Sequence, residues 1–326
     1  MENVITEVSK YLIILLMMIY TFSCFTVFRK RDIEDQKNVL RRQIVLMLFM
    51  NLVAYTVLFL QDNDMKMLMM YGAVFLFIVV VQILYRVIYR KGNMLIVNNM
   101  CMLLCIGLIM QTRLSYSKAM KQFVIAACAI ALSLVIPIII RKCKFLSEWR
   151  KIYAIIGLIS LGVVVVVGQV SYGAMLGFTI AGINIQPSEL VKIVFVFYVA
   201  ASLKVSREFK DIVVTTAIAA FHVLILVVSK DLGAALIIFV VYLVMLYVAT
   251  RQPLYILAGL GAGSVASVVA YYLFGHVRTR VIAWKDPFAV YDSGGYQLAQ
   301  SLFAIGTGGW LGMGLCQGQP DKIPVA

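Results

Sequence analysis

Apolar runs close to twenty residues long recur along this 326-residue chain, and they leave few folds open to it. Ten can be drawn, roughly at 11–28, 43–60, 67–85, 94–110, 123–140, 152–171, 187–203, 211–228, 232–250 and 254–274. Each is about long enough to cross a hydrocarbon core of roughly 30 Å as a helix. In that solvent only helices and closed barrels satisfy every backbone N–H and C=O. The period-two alternation of a membrane barrel is not seen. The expected fold is therefore an all-α polytopic membrane protein of about ten transmembrane helices, with a large extracytoplasmic loop near the C-terminus. The composition agrees, with 63% hydrophobic and 13% charged residues. No cleaved signal peptide is expected, because Met1–Lys10 lacks a basic region and no small-residue cleavage site follows the first run.

The formal net charge of +14 would suggest a nucleic-acid partner in a soluble protein. Here no nucleic acid is expected, since no basic soluble segment interleaved with aromatics exists. The basic residues instead alternate between loops. Arg29, Lys30, Arg31, Lys37, Arg41 and Arg42 fill the first, and QDND at 61–64 makes the second acidic. Arg86, Arg90 and Lys91 follow, then the crowded fifth loop from Arg141 to Lys151, and the sixth, Gly173–Ser188, has no Lys or Arg. Basic loops face the cytoplasm. This places the N-terminus, the QPSE loop, the Lys230–Asp231 turn and everything after Phe274 outside. The loop at 111–122, with Arg113, Lys118 and Lys121, fits this alternation least well.

The six cysteines show no disulfide framework and no metal-type spacing, and Cys101 and Cys105 sit among Met and Leu as small hydrophobes would. Three polar sets need an explanation. In Gln186-Pro187-Ser188-Glu189 with Lys192, the proline suits a first helical turn and the two charges share a face three residues apart. An ionisable group at membrane depth points to function, yet a helix start with a structural ion pair explains the same residues. Asp231, in Lys230-Asp231-Leu232-Gly233, is placed to cap the next helix, which needs no function. The third set is the segment His276–Ala326, with Asp286, Asp292, Arg278 and Arg280. Paired arginines suit a pyrophosphate, and a carboxylate beside a bound sugar can act as a general base. These residues fit an extracytoplasmic site for an anionic, lipid-linked ligand without separating transfer from transport. Of the two histidines, His222 reads as a hydrogen-bonded structural residue and His276 as interfacial. Gly306–Gly318 reads as a re-entrant or interfacial stretch.

Three of these motifs resemble, in order, those of the bacterial shape, elongation, division and sporulation proteins, the SEDS family (FtsW, RodA, SpoVE). NIQPSELVK at 184–192 resembles FQPSELAK, and SKDLGAALI at 229–237 resembles QPDLGTALI. RVIAWKDPFAVYDSGGYQLAQSLFAIGTGGWLGMGL at 280–315 resembles the long run ending in GYQ..QS..AIGSGG..G.GL. The resemblance covers about the second half of the chain. It implies a peptidoglycan glycosyltransferase in the bacterial cytoplasmic membrane that polymerises lipid II, with a class B penicillin-binding protein as partner. The implied catalytic base is Asp292, with Asp286 as the second candidate, because Asp292 stands two places later than the family spacing puts it. Arg278, Arg280, Glu189, Lys192, Asp231, Tyr296, Gln297, Gln300 and Ser301 are the implied substrate-binding residues. No cofactor is required by the resemblance, although a divalent cation (Mg or Mn) could assist the pyrophosphate, and no protein metal site is expected.

On this reading residues 1–171 hold N-terminal transmembrane helices with a family-atypical extension, 172–275 the SEDS-like core, and 276–326 the catalytic loop. The family continues into a DFIFA-like motif and further helices, so truncation after residue 326 is expected. Departures include Lys230 where the family has proline and the lack of a tryptophan in Gly173–Phe178. The alternatives are a lipid II flippase or transporter, and a non-catalytic scaffold of a penicillin-binding protein.

Overall fold

The computed structural model describes residues 2–167, 169–171, 174–180 and 183–318. Its helices are α1 (Glu2–Arg29), α2 (Ile33–Asp62), α3 (Met65–Ile88), α4 (Met94–Leu114), α5 (Tyr116–Lys142), α6 (Arg150–Val167), α7 (Pro187–Val205), α8 (Phe209–Val228), α9 (Leu232–Thr250), α10 (Pro253–Leu273), α11 (Gly275–Lys285) and α12 (Tyr296–Gly308). Eight of them, α1–α5 and α8–α10, are long and apolar enough to cross a membrane. Large apolar side chains such as Phe22, Leu257 and Val265 are exposed along them, as a hydrocarbon solvent requires. The molecule is an all-α polytopic membrane protein. The expected ten crossings are not all matched. α7 carries Glu189, Lys192 and Lys204 within its 19 residues, and α6 has 18.

Three further differences from the sequence reading stand out. The weakly basic loop at 111–122 shrinks to a single residue, Ser115, because α4 and α5 extend through it. The stretch before QPSE forms short antiparallel strands, β1 (Gln169–Ser171), β2 (Ala174–Ile180) and β3 (Ile183–Ile185), in the order β1-β2-β3. The segment after Phe274, read as a loop, folds into α11, a π-helical turn at Tyr291–Gly295 and α12. Local chemistry explains the ends of several helices. Asp64 and Asn93 cap α3 and α4 by accepting from Lys66 N and Leu95 N, each at 3.0 Å.

The chain divides into two compact units, Met1–Ile139 with Gln297–Val325, and Ile140–Tyr296. These boundaries follow contacts, whereas the division at 171/172 and 275/276 followed motif content. The first unit is built on Met47, Met70, Val74, Cys105 and Leu108. Its helices are also tied by buried amides. Asn98 on α4 donates to Gln43 Oε1 on α2 (2.8 Å), and Gln82 on α3 donates to Asn98 Oδ1 (3.0 Å). Helices in lipid gain nothing by hiding apolar faces from one another, so such cross-helix bonds and close packing hold them together.

The second unit centres on Phe195, Val199, Leu226 and Ile238. His222 is fully buried there. Its Nδ1–H donates to Ile218 O at 2.8 Å, and its ring stacks on Tyr198 and meets Phe195 edge-on. The neutral Nε2 faces Gly157 of α6, where an added Cβ would lie 2.4 Å away. Gly259 and Gly263, one turn apart on α10, likewise let Leu243 and Phe239 of α9 approach closely.

Candidate functional site

Short connections at 206–208, 229–231 and 251–252 join α7, α8, α9 and α10, and each of these helices packs on the next. Such linkage makes neighbours antiparallel. The start of α7, the α8–α9 turn and the end of α10 therefore lie at one end of the second unit. α11 follows there, and the motifs that are far apart in sequence meet at this end.

At the start of α7, Pro187 occupies the first helical turn and Glu189 follows it. Lys192 Nζ lies 2.7 Å from the Glu189 carboxylate, so the ion pair expected from the spacing forms. At the α8–α9 turn, Asp231 Oδ1 accepts from Ala234 N at 3.0 Å and caps α9. Lys230 before it has φ 64°, in the left-handed region. Proline, fixed near φ −65°, cannot take that conformation. A proline at 230 would therefore require a differently built turn.

His276 on α11 reaches back to this turn. Its buried Nε2 has no hydrogen-bond partner among the described residues, and its ring packs beside Phe274 at 5.6 Å between centres. Burial, and then the charges of Lys230 and Arg280, hold its pKa below the ordinary value of 6.5. Arg278 folds toward the end of α10, donating to Tyr272 O at 3.2 Å and lying 5.8 Å from the Tyr271 ring centre. Arg280 is exposed. Among the described residues neither arginine is ion-paired with Asp286 or Asp292.

The two candidate aspartates differ sharply. Asp286 ends α11, and its Oδ1 accepts from Phe288 N and Ala289 N, both at 3.1 Å. Its carboxylate thus builds the turn that follows. Asp292 is exposed within the π-helical turn. That turn closes by a bond from Gly295 N to Val290 O at 2.9 Å. Two glycines seat it: a Cβ on Gly294 would lie 2.8 Å from the Thr279 methyl of α11, and one on Gly295 would lie 2.2 Å from Pro287 O. Only glycine permits these approaches, and they fix where Asp292 is held. Tyr296, which stacks edge-on against Tyr291, begins α12. Gln297, Gln300 and Ser301 continue along that helix, with Ser301 donating to Gln297 O at 2.8 Å; these three belong to the first unit. Among the described residues no group of three His, Cys, Asp or Glu side chains could hold a metal.

Sequence reasoning missed the contribution of His276 and the packing role of Gly294–Gly295. The paired glycines beside an aspartate were the available signal.

A membrane bundle that gathers a carboxylate, arginines and lysines over one end of its helices defines a polytopic protein with a polar site at the membrane surface. The family model for cell cycle proteins of the FtsW/RodA/SpoVE type matches residues 93–326, and the chain belongs to that family. α1–α3 lie before the match. Among curated proteins, a Mycobacterium leprae protein named peptidoglycan glycosyltransferase RodA is 31% identical over 227 residues, covering 65% of this chain and 49% of that protein. The Mycobacterium tuberculosis protein of the same name is 37% identical over 170 residues, covering 47% and 36%. A Geobacter sulfurreducens protein named probable peptidoglycan glycosyltransferase FtsW is 36% identical over 162 residues, covering 47% and 42%. The chain thus spans about half or less of the length of these relatives. No solved structure matches it significantly.

Proposed function

We propose that this protein is a peptidoglycan glycosyltransferase that polymerises lipid II at the extracytoplasmic face of the bacterial cytoplasmic membrane. The names of its relatives and its family membership support the activity. The observation that carries the choice of base is the contrast between the two aspartates. Both are exposed, but Asp286 spends one carboxylate oxygen on two backbone donors, whereas Asp292 makes no such bond among the described residues and sits on a turn that glycine packing locks in place. A positioned carboxylate can take the proton of an acceptor hydroxyl as that oxygen attacks the anomeric carbon. The bond to pyrophosphate then breaks, and polyprenyl pyrophosphate leaves with the electron pair. Arg280, Arg278 and Lys230 supply positive charge for that leaving group. Glu189 with Lys192, Asp231, Tyr296, Gln297, Gln300 and Ser301 are the proposed substrate-binding residues. A divalent cation, if used, would arrive on the pyrophosphate, since magnesium is commonly held by one or two carboxylates plus phosphate oxygens. A class B penicillin-binding protein is the proposed partner for cross-linking.

The transporter reading is weaker, because coupling residues in transporters cluster near the bilayer midplane. Here Glu189, Lys192 and Asp231 sit at helix starts. The test is to incubate the full-length protein and its partner with labelled lipid II and a transpeptidase inhibitor. A glycan ladder is expected, falling at least about 100-fold with Asp292→Ala and only modestly with Asp286→Ala. A ladder that survives Asp292→Ala but not Asp286→Ala would move the base. Lipid II translocation without polymer would favour transport, and partner activation without either would favour a scaffold.

A further inference from the structure

The first unit contains a cleft that the polymerase reading leaves unused. α1 and α4 both pack on α2. They are pinned to each other where Tyr20 Oη and Cys24 Sγ of α1 donate to Asn99 Oδ1 of α4, at 3.0 and 3.3 Å. Further along, a cavity of about 240 Å³ opens between them. Its walls are Ile13 and Met17 of α1 and Ile106 and Met110 of α4, with Met50 and Ala54 of α2 as the floor. Met17 and Met110, 38% and 39% exposed, leave it open to the side. The polar side chains at its rim are both cations, Lys10 and Arg113.

Along α1 the lining runs from Lys10 to Met17, which at a rise of 1.5 Å per residue is about 10 Å. Half of a roughly 30 Å hydrocarbon core is about 15 Å, so the cleft covers most of one leaflet. It runs from the headgroup level toward the midplane, apolar in its body and positive at its mouth. The turn after α12 lines one side of the mouth with Leu311, Gly314 and Leu315. Arg113 donates to Gly318 O, and Gly314, at φ 104°, brings the chain so close that an added Cβ would lie 3.3 Å from Lys10 Cβ.

We infer that this cleft holds an anionic phospholipid from the leaflet in which Lys10 lies, one acyl chain between α1 and α4 and the phosphate on Lys10 and Arg113. Charge complementarity selects the headgroup, and the side opening onto the bilayer supplies the tail. Half of the cleft is made by α1 and α2, which precede the family match at residue 93. The bound lipid would mortar these extra helices onto α4.

The test uses the full-length protein in detergent, titrated with dioleoyl-phosphatidylglycerol or dioleoyl-phosphatidylcholine and read by native mass spectrometry. One phosphatidylglycerol per chain is expected, retained in preference to phosphatidylcholine. The paired change Lys10→Gln and Arg113→Gln should weaken it about 10- to 100-fold, at roughly tenfold per lost charged contact. Lys10→Arg with Arg113→Lys should restore it. Ile106→Trp, which fills the cleft and leaves both cations, should abolish retention; thermal unfolding checks that it folds, and the charge variants decide if it does not. Equal retention by the Gln variant, or equal binding of the two lipids, would overturn the proposal. So would displacement by millimolar inorganic phosphate, which would reveal an anion site without a tail. Displacement by equimolar polyprenyl phosphate would overturn it as well, by making the occupant a carrier lipid. None of these outcomes depends on polymerase activity.

Discussion

The contact between Gly157 and His222 makes a demand on the fold that can be measured without any assay of function. Changing Gly157 to Ala places a methyl 2.4 Å from His222 Nε2, about 1 Å inside the 3.4 Å at which ordinary contact begins. The ring has nowhere to go. Phe195 lies on one side at 5.3 Å between centres and Tyr198 stacks at 6.2 Å, while Nδ1 is held at 2.8 Å from Ile218 O. Accommodation means moving α6 away from α8 or breaking the Nδ1 bond. Overpacking of this kind costs about 1–3 kcal/mol. Removing a helical glycine returns up to about 1 kcal/mol. A net loss of about 1–2 kcal/mol is expected, followed by circular dichroism as sodium dodecyl sulfate is titrated into dodecyl maltoside micelles. The decisive comparison is the double-mutant cycle. Once His222→Ala has removed the ring, Gly157→Ala should become neutral or stabilising, so the two changes couple by about 1–3 kcal/mol. Additive effects, or a single Gly157→Ala protein as stable as the parent, would refute the proposed contact.

Two further outcomes test the polar end of the second unit. Gly295→Ala puts a methyl 2.2 Å from Pro287 O, so the turn bearing Asp292 must shift; a displacement near 1 Å at a reacting group costs about 100-fold in rate. Lipid II polymerisation should fall by that order with at most a modest loss of thermal stability, whereas Gly306→Ala, which meets nothing within 4 Å, should leave the rate unchanged. His276 gives a pH dependence. Its pKa is lowered in the fold by burial and by Lys230 and Arg280, so the unfolded chain binds the proton first. Stability should be flat well above pH 6.5 and fall as pH drops through and below it. Thermal unfolding across pH 5–8 should show this slope in the parent and a shallower one in His276→Gln.

Much of this architecture was legible because the bilayer imposes a long-range rule on local composition. Run length gave most of the helices, and Pro187, Glu189 and Asp231 marked helix starts through first-turn chemistry. The pairing of Glu189 with Lys192 and the capping by Asp231 followed from spacing of three residues or fewer. What spacing could not reach was contact between elements. The amide chain Gln43–Asn98–Gln82 joins three helices, and nothing in any one run distinguishes its members from polar residues facing lipid headgroups. The segment after Phe274 was misjudged as loop because its polarity was read as exposure. α11 has no long apolar stripe and buries Ala283, so helical periodicity gave no signal there.

Asp292 and the π-helical turn belong together. Widened turns of this kind recur at functional sites. The bond from Gly295 N back to Val290 O spans five residues, one more than an α-helical turn. It is stable only because Gly294 and Gly295 lack side chains where Thr279 and Pro287 press against them. α12 then starts at Tyr296, while Asp292 stays exposed on the turn. Asp286 meanwhile takes the structural task of folding the chain out of α11. The same two residues would be hard to rank from spacing alone; the bonds that Asp286 makes and Asp292 leaves unmade are what favour Asp292 in the proposed function.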